Sequence, residues 1–356
     1  MAGSAVAMPL QSFNDDGTPI LSASITASFE AGYADVGESS PGVENSGFLN
    51  GRWGEVYFSG EMTADNGLIY GARINLQTTL GPGANIGRAN QGREYLYLKG
   101  SWGSLELGKT GGAETALHLN VAGQYKGGGA FDWPVYGYGI LGSVGLGVQN
   151  NPNWWDTHQT KASYFTPVIN GIQAGISYTP SVSATADTTM RGPGGFQDEI
   201  GYGVQYNGDF GGTTISLSAV GATSDDDDTN GWQGIGFYQV SGIIRHAGAS
   251  FGAGFWDAGD QGVAPGRDQE WTGWMVDAAY SFGPYGLEVS YVHTERNRTG
   301  GGVAADMRDV DGWALSLGYA LAPGLRVYGD LISAEYAING ESYESSAAIG
   351  GVTLSF

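Results

Sequence analysis

The stretch LSASITASFEAGY (residues 21–33) alternates strictly between apolar and polar side chains. Successive side chains of a β-strand point to opposite faces, so a period of two predicts a strand with one apolar and one polar face. The last residues of the printed chain, GGVTLSF (350–356), repeat the pattern and end on an aromatic residue. The apolar set of the first stretch consists of Leu21, Ala23, Ile25, Ala27, Phe29, Ala31 and Tyr33.

The same alternation returns along the whole chain. Seven short, turn-like stretches rich in Gly, Pro and Asn alternate with eight longer loops between the alternating runs. The longest loop is 110–159, and the others include 34–54, 295–310 and 336–345. We therefore predict an all-β chain whose strands, sixteen in our assignment, follow one another in an up-and-down meander. The further alternating segments are LIYGARINLQ (68–77), GIQAGISY (171–178), YGLEVSYVH (285–293), WALSLGYAL (313–321) and LRVYGDLIS (325–333).

Composition restricts the class of protein. The chain has 63 Gly, which suggests low complexity, but its 10 Trp, 20 Tyr and 13 Phe argue against disorder. It has no Cys, so disulfides, Cys-ligated metals and thiol nucleophiles are excluded. The formal net charge of −21 makes a nucleic-acid partner improbable, because phosphate binding needs clustered cations. Acidic surfaces attract metal ions or cationic solutes instead.

Aromatic residues flank the apolar faces of the later strands, as in Trp274 with Tyr280 and Trp313 with Tyr319. Aromatic girdles of this kind mark the two lipid–water interfaces of membrane barrels. The chain has no run of 18 apolar residues for a transmembrane helix, and a sheet in lipid must close on itself. A barrel of sixteen strands is too wide for side chains to fill, so its interior holds water. The alternative is a soluble two-sheet sandwich or solenoid.

Three segments and the last residue carry a family resemblance, namely EYLYLKGSWGSLELGK (94–109), TGGAETAL (110–117), SYFTPVINGIQAGISY (163–178) and Phe356. They resemble the general diffusion porins of Gram-negative outer membranes, particularly the alphaproteobacterial type. The resemblance implies a 16-stranded antiparallel transmembrane β-barrel with a long third loop folded into the pore. It covers one domain, residues 21–356, and leaves residues 1–20 as an N-terminal extension of unknown role, with Ser4 to Ala7 fitting either a signal-peptide tail or a plain terminus.

The resemblance also implies a function. It predicts a water-filled channel in the bacterial outer membrane for passive diffusion of ions and small hydrophilic solutes, without enzymatic activity or a required cofactor. The terminal Phe would be the signal that the barrel-assembly machinery reads. The expected partners are outer-membrane lipid, lipopolysaccharide and two further copies of the chain in a homotrimer. Small residues on the outward face would suit close subunit packing, namely Ala23, Ala27, Ala31 and Ala348.

In such channels, carboxylates of the third loop face basic residues on the opposite wall, and the field between them sorts solutes by charge. The loop carboxylates here are Glu114, Asp132 and Asp156. Strand parity directs Arg73, Lys161 and Arg326 into the lumen, because a charge facing lipid at the midplane costs about 2–4 kcal/mol. Arg93 is a further candidate near a strand end, and any of these can instead be an ordinary solvated charge.

Two features bear on selectivity. Ser163 stands where many porins carry an Arg, and the net charge is −21, so we predict weak cation preference. The third loop is also rich in aromatics, which line the passage of sugar-specific porins. The alternative function is therefore a substrate-selective, sugar-type porin, although such residues more often pack a loop against the wall. The aromatic residues are Trp133, Tyr136, Tyr138, Trp154 and Trp155.

The segment DDDTNG (226–231) fits the first half of a calcium loop, with Asp226, Asp228 and Asn230 as ligands. Phe237 occupies the twelfth position, where such loops carry a bidentate acid. The segment is therefore a candidate low-affinity Ca²⁺ site completed by another loop or by water, or else a solvated acidic loop. The porins that this chain resembles bind calcium among their loops.

Catalysis is not indicated by the sequence. His158 lies near Asp156, but no G-x-S-x-G motif accompanies it. The other histidines are His118, His246 and His293, and a lone His at a strand end is more often interfacial than catalytic. A third class, a structural or adhesive barrel with a plugged lumen, would conduct no ions.

Overall fold

The computed structural model describes residues 20–38, 44–77, 90–121, 159–182, 195–227 and 229–356. Its sixteen strands form a closed barrel in which each strand pairs antiparallel with its neighbours in the chain, and the first strand pairs with the last. This confirms the predicted sixteen-strand barrel. Among the described residues, no helix has the length and apolar character needed to cross a membrane.

The strands and the one described helix have the following bounds: β1 Ile20–Glu38, β2 Glu44–Thr63, β3 Ile69–Gln77, β4 Asn90–Gly100, β5 Gly103–Thr110, α1 Ala113–Ala116, β6 Gln159–Phe165, β7 Ile172–Val182, β8 Phe196–Asp209, β9 Thr213–Asp225, β10 Gly236–His246, β11 Ala249–Asp257, β12 Arg267–Phe282, β13 Tyr285–Gly300, β14 Asp306–Ala322, β15 Leu325–Ile338 and β16 Glu341–Ser355.

The barrel closes along a seam between β1 and β16. Thr26 lies opposite Ser355 in the register, and Phe356 continues the ladder beyond the last strand. The Phe356 N–H donates to the carbonyl of Ile25 at 2.9 Å, and the Ile25 N–H donates to the carbonyl of Phe356 at 2.7 Å. The aromatic ring of Phe356 is exposed on the outward face.

The connections between strands define two ends of the barrel. Seven of them are the predicted short turns, and we call their side the short-turn end; the other side is the long-loop end. The predicted loop 295–310 shrinks to 301–305, and the predicted loop 336–345 is the two-residue turn Asn339–Gly340. Both residues of that turn have positive φ, 52° and 89°, as a tight hairpin turn requires. The predicted loop 34–54 likewise shortens to 39–43.

The outward face is apolar and exposed, as the alternation predicted. Leu287, Val289 and Leu315 lie on it between two rows of aromatic rings. The centroids of neighbouring rings are 4.9–5.8 Å apart in the row at the short-turn end. They are 4.5–5.0 Å apart in the row at the long-loop end. The first row contains Tyr280, Phe282, Tyr285 and Tyr319, and the second contains Trp274, Tyr291 and Trp313.

The inner face differs around the circumference. From β2 to β8 it carries mostly polar, charged and small side chains, in agreement with the alternation. From β10 to β16 it is mixed, because an apolar cluster that includes Ile243, Trp256, Met275 and Ile332 lies on it. Trp256 packs edge-to-face on Trp271 with ring centroids 5.5 Å apart. This half of the inner wall therefore carries a packed apolar layer.

Candidate functional site

The first part of the third loop lies inside the barrel. The Ala113 N–H donates to the Ser177 hydroxyl on β7 at 3.0 Å. The carbonyl of Leu117 accepts hydrogen bonds from Ser218 on β9 at 2.6 Å and from Gln205 on β8 at 3.4 Å. Val121 is fully buried beside Gly252 on β11. Residues 111–121 thus cross the inner wall from β7 to β11, and we call them the docked segment; residues 122–158 lie outside the described residues.

Glu114 is held within this contact and is only 1% exposed. The Ser177 hydroxyl donates to its Oε2 at 3.1 Å, and the Thr115 hydroxyl donates to its Oε1 at 3.1 Å. A Cβ atom added to Gly201 on β8 would overlap Oε2. The absence of a side chain at Gly201 therefore makes room for the carboxylate, and the neighbouring hydroxyls orient it.

Arg73 and Lys161 lie in one row across four strands. In the register, Arg73 on β3 faces Tyr95 on β4, Tyr95 faces Gly108 on β5, and Gly108 faces Lys161 on β6. The Arg73 guanidinium lies over the ring of Tyr57, with Cζ 4.4 Å from the centroid. Lys161 is 4% exposed, so this row combines a ring-stacked cation with a buried one.

Arg93 lies on the same inner wall, opposite Asn75 and next to a register irregularity of β3 and β4. Ser177, which holds Glu114, pairs with Ser163, two residues along β6 from Lys161. The structure therefore places Arg73, Arg93 and Lys161 on the same part of the inner wall, β3 to β6, with Glu114 bound on the neighbouring strands. Carboxylates share this wall, and they are Glu55, Glu61 and Glu106.

Arg326 lies apart from this group. It follows Gly324 by two residues at the short-turn end of β15, where it pairs with Ala320 and Thr353, four strands around the barrel from β3. Asp132, Asp156 and the five aromatic residues of the third loop lie outside the described residues. The role of each named residue in a constriction stays a prediction.

Sequence reasoning missed a group of arginines on the inner face of β12 to β14. The group consists of Arg267, Arg296, Arg298 and Arg308 at the long-loop end. Its sequence signal was RNR (296–298), two cations with a period of two, inside a segment predicted to be a loop. Strand parity places both on the inner face because the strand continues to Gly300.

Asp227 organises the acidic loop after β9, although it is not one of the three calcium ligands predicted from the sequence. Asp227 Oδ1 accepts hydrogen bonds from the N–H groups of Thr229 at 2.8 Å and Asn230 at 3.2 Å, and Oδ2 accepts one from the Asn230 amide at 3.0 Å. The Asn230 side chain, followed by the backbone donors, lowers the pKa of Asp227 below its ordinary value. Asp226 accepts from the Gly234 N–H at 2.8 Å. Asp228 lies outside the described residues, and the calcium site stays a prediction.

Three of the four histidines can be located. His118 bonds to Gln239 on the inner wall, and His246 bonds to Thr213 at the short-turn end. His293 lies on the outward face of β13, where its Nδ1 is 3.0 Å from Asp311 and 3.6 Å from Asp309. Within the described ranges, these three outward residues are the one group whose ligand atoms lie close enough together to hold a metal ion.

Comparison with known proteins agrees with this architecture. The family model described as Gram-negative porin matches residues 1–337. The chain belongs to the Gram-negative porin family. It is accordingly an outer-membrane, multi-pass β-barrel, and the outward apolar face between the aromatic rows is the surface that contacts lipid.

Solved porin structures share the fold at low sequence identity. The anion-selective porin from Comamonas acidovorans is 15% identical with a TM-score of 0.64, and the match covers 94% of this chain and 100% of that one. OmpT of Vibrio cholerae in its trimer form is 12% identical with a TM-score of 0.65, over 95% and 100% of the two chains. A mutant of Rh. blastica porin has a TM-score of 0.59 at 14% identity, over 94% and 100%.

Curated relatives match only in part. An uncharacterized protein of Rickettsia prowazekii is 28% identical over 157 residues, which is 38% of this chain and 34% of the relative. An uncharacterized protein of Rickettsia conorii is 28% identical over 139 residues, or 34% and 31% of the two chains. The matched part of this porin thus spans about a third of the length of these relatives.

Proposed function

We propose that this porin is an open channel for passive diffusion of ions and small hydrophilic solutes, with weak cation preference. Outer-membrane lipid and lipopolysaccharide surround it in this proposal, and it needs no cofactor. Calcium is an optional ligand of the loop 226–231. The single observation that carries the proposal is the docked segment, which lies against the inner wall of a barrel too wide to be filled by its own side chains.

In this proposal, the docked segment narrows the lumen of the barrel but leaves a continuous passage through it. The docked segment lies against β7 to β11, so it reduces the cross-section from that side. The wall from β2 to β6, next to the docked segment, is polar and charged, and includes the Arg73 to Lys161 row. A passage lined in this way suits hydrated ions and hydrophilic solutes and disfavours apolar ones.

The net charge of the chain favours cations, whereas the charges on the inner wall limit this preference. The net charge of −21 gives the mouths of the channel a negative potential that acts over a Debye length of about 8–10 Å. The described inner wall is nearly balanced, which keeps the preference weak. Its basic residues are Arg73, Arg93, Lys99, Lys161, Arg245, Arg267, Arg296, Arg298, Arg308 and Arg326, and its acidic residues are Glu55, Glu61, Glu106, Glu199, Asp209, Asp277, Glu288, Asp306, Asp330 and Glu341.

The seam between β1 and β16 supports a homotrimer. Small residues occupy outward positions on both strands, so two barrels can approach closely there. In the register Ala31 lies opposite Gly350, and Tyr33 lies opposite Ala348. One structural neighbour is titled a trimer form, which agrees with self-association in proteins of this fold.

Planar-bilayer recording tests the proposal. In a potassium chloride gradient, we expect large conductance steps, often in groups of three as for the three channels of a trimer. We also expect a reversal potential shifted modestly from zero toward the equilibrium potential of K⁺. A reversal potential on the chloride side would mean that the wall arginines dominate, which contradicts the cation preference. A folded protein without conductance would contradict the open channel and favour a plugged barrel.

A further inference from the structure

Four arginines meet at the long-loop end of the inner wall, and we call Arg267, Arg296, Arg298 and Arg308 the arginine cluster. They lie on three neighbouring strands, β12, β13 and β14. Their inward direction follows from the register, because Arg296 pairs with the buried Trp271 on β12. A chain with only 15 Lys and Arg thus places four cations at one mouth of the barrel.

The arrangement places like charges against each other. Arg296 and Arg308 are direct partners in the β13–β14 register, and like charges directly opposite each other destabilise an antiparallel pair. Arg296 is 8% exposed, and its guanidinium lies 5.7 Å from the Trp271 ring centroid. The buried Nε–H groups of Arg296 and Arg267 have no hydrogen-bond acceptor among the described residues. Buried donors of this kind normally have a partner.

Neighbouring groups compensate the cluster only in part. Arg298 Nε donates to Gln269 at 2.5 Å, and Arg308 Nε donates to Asp306 at 2.6 Å. Asp306 is the carboxylate that contacts the cluster among the described residues, and Asp260 in the preceding loop accepts from the N–H of Gln269. The buried Nε–H donors of Arg267 and Arg296 therefore remain without an acceptor in the described part of the chain.

We propose that the arginine cluster binds a phosphate group of small anionic solutes at the long-loop mouth of the channel. Guanidinium groups present paired N–H donors in a planar fork that matches phosphate oxygens, and phosphate would supply acceptors for the buried Nε–H groups of Arg267 and Arg296. The proposal rests on the channel function, and it gives phosphate-bearing solutes a docking point ahead of the docked segment. Half-buried Arg267, Arg298 and Arg308 leave the cluster open to the lumen.

Titration calorimetry with inorganic phosphate tests the site directly on the folded protein in detergent. We expect saturable binding of one phosphate per protomer at low ionic strength. Arg296→Gln combined with Arg308→Gln should weaken it at least tenfold. Arg245→Gln removes one cation from the inner wall at the short-turn end, the same charge change as Arg298→Gln, and should leave phosphate binding unchanged. Arg298→Gln, which loses the hydrogen bond to Gln269 and the attraction to its register partner Asp306, should also weaken phosphate binding and provides a second variant if the double one fails to fold.

The outcomes separate this proposal from the channel function. Equal phosphate binding by the parent protein and by the cluster variants would overturn the site, as would displacement by chloride at equal ionic strength, because both indicate diffuse attraction. A protein that conducts ions but binds no phosphate contradicts the site alone. A protein that binds phosphate at the cluster but does not conduct supports the site and contradicts the channel.

Discussion

The carboxylate of Glu114 occupies the space that a side chain on Gly201 would need. Oε2 of Glu114 lies against the backbone of β8, and the same oxygen accepts a hydrogen bond from Ser177 on β7. A loop residue is thus fitted into a gap in the wall that one glycine provides. This contact fixes where the docked segment begins to cross the lumen.

Gly201→Ala should displace the Glu114 carboxylate from the wall. Overpacking of a fitted site costs about 1–3 kcal/mol, and here the cost falls on the docked segment because the β8 backbone is held on both sides. We expect frequent transitions between two conductance levels in single-channel recordings. Gly329→Ala is the control, since its added methyl would have 3.7 Å to the nearest atom. Identical recordings for both variants would contradict the fitted contact.

Ser177→Ala should loosen the same segment by a different route. It removes the acceptor of the Ala113 N–H and a donor to Glu114, and unsatisfied buried groups cost about 1–3 kcal/mol. We expect faster hydrogen exchange at Ala113, by roughly 5- to 150-fold, because exchange follows local opening. Ser163→Ala is the matched control, since Ser163 pairs with Ser177 and its buried hydroxyl has no hydrogen-bond partner among the described residues. Equal acceleration in both variants would argue against the bond.

Arg73→Gln combined with Arg93→Gln should make the channel more cation-selective. A unit charge about 8 Å from a permeating ion contributes about 0.5 kcal/mol in water, with opposite sign for cations and anions, so each lost cation changes the cation-to-anion permeability ratio by about fivefold. The reversal potential in a potassium chloride gradient measures this ratio. Lys109→Gln serves as the control, because Lys109 shares strand parity with outward Leu107. An unchanged ratio in the double variant would place the selectivity elsewhere.

The loop after β9 should lose order only in acid. The pKa of Asp227 is lowered in the folded loop, so its contribution to stability is present above the ordinary Asp pKa of about 3.9 and is lost as pH falls through the lowered value. We expect the amide NMR signals of Thr229 and Asn230 to stay constant from neutral pH to about 4 and to shift below it. In Asp227→Asn, these signals should show no such titration. A midpoint at or above 3.9 in the parent protein would contradict the lowered pKa.

The sequence predicted the barrel where strands contact lipid, because lipid requires an apolar outward face and water favours a polar inward one. Above the row of Trp274, Tyr291 and Trp313, the strands continue into water and both faces become polar. Segments such as 295–300 and 306–310 therefore lost the alternation and were assigned to loops. The arginine cluster was missed for that reason. The turn Asn339–Gly340 has the Asn-Gly sequence of a tight hairpin, but it lies in a segment without clear alternation.

The candidate site was predictable by residue type and parity, and less so by position. Arg73 and Lys161 face the lumen as parity predicted, since each lies among inward side chains in the register. Their assembly into one row required the register of four strands, which depends on turn lengths and on the irregularity beside Asn75. Strand parity predicted that Arg326 points inward, but parity does not give the position of a residue along the barrel axis. The location of Arg326 near the short-turn end could therefore not be predicted.

The seam between β1 and β16 also sets the order in which the barrel can fold. The hydroxyls of Thr26 and Ser355 meet at 3.2 Å across 329 residues of chain. Every other pairing joins neighbours in the sequence and can form as a hairpin, whereas this one must wait until the whole curved sheet is present. Chain entropy has to be lost before the contact that is most distant in sequence can form and stabilise the barrel. The seam is therefore the expected slow step of folding. Until it forms, two unpaired strand edges remain open to other chains.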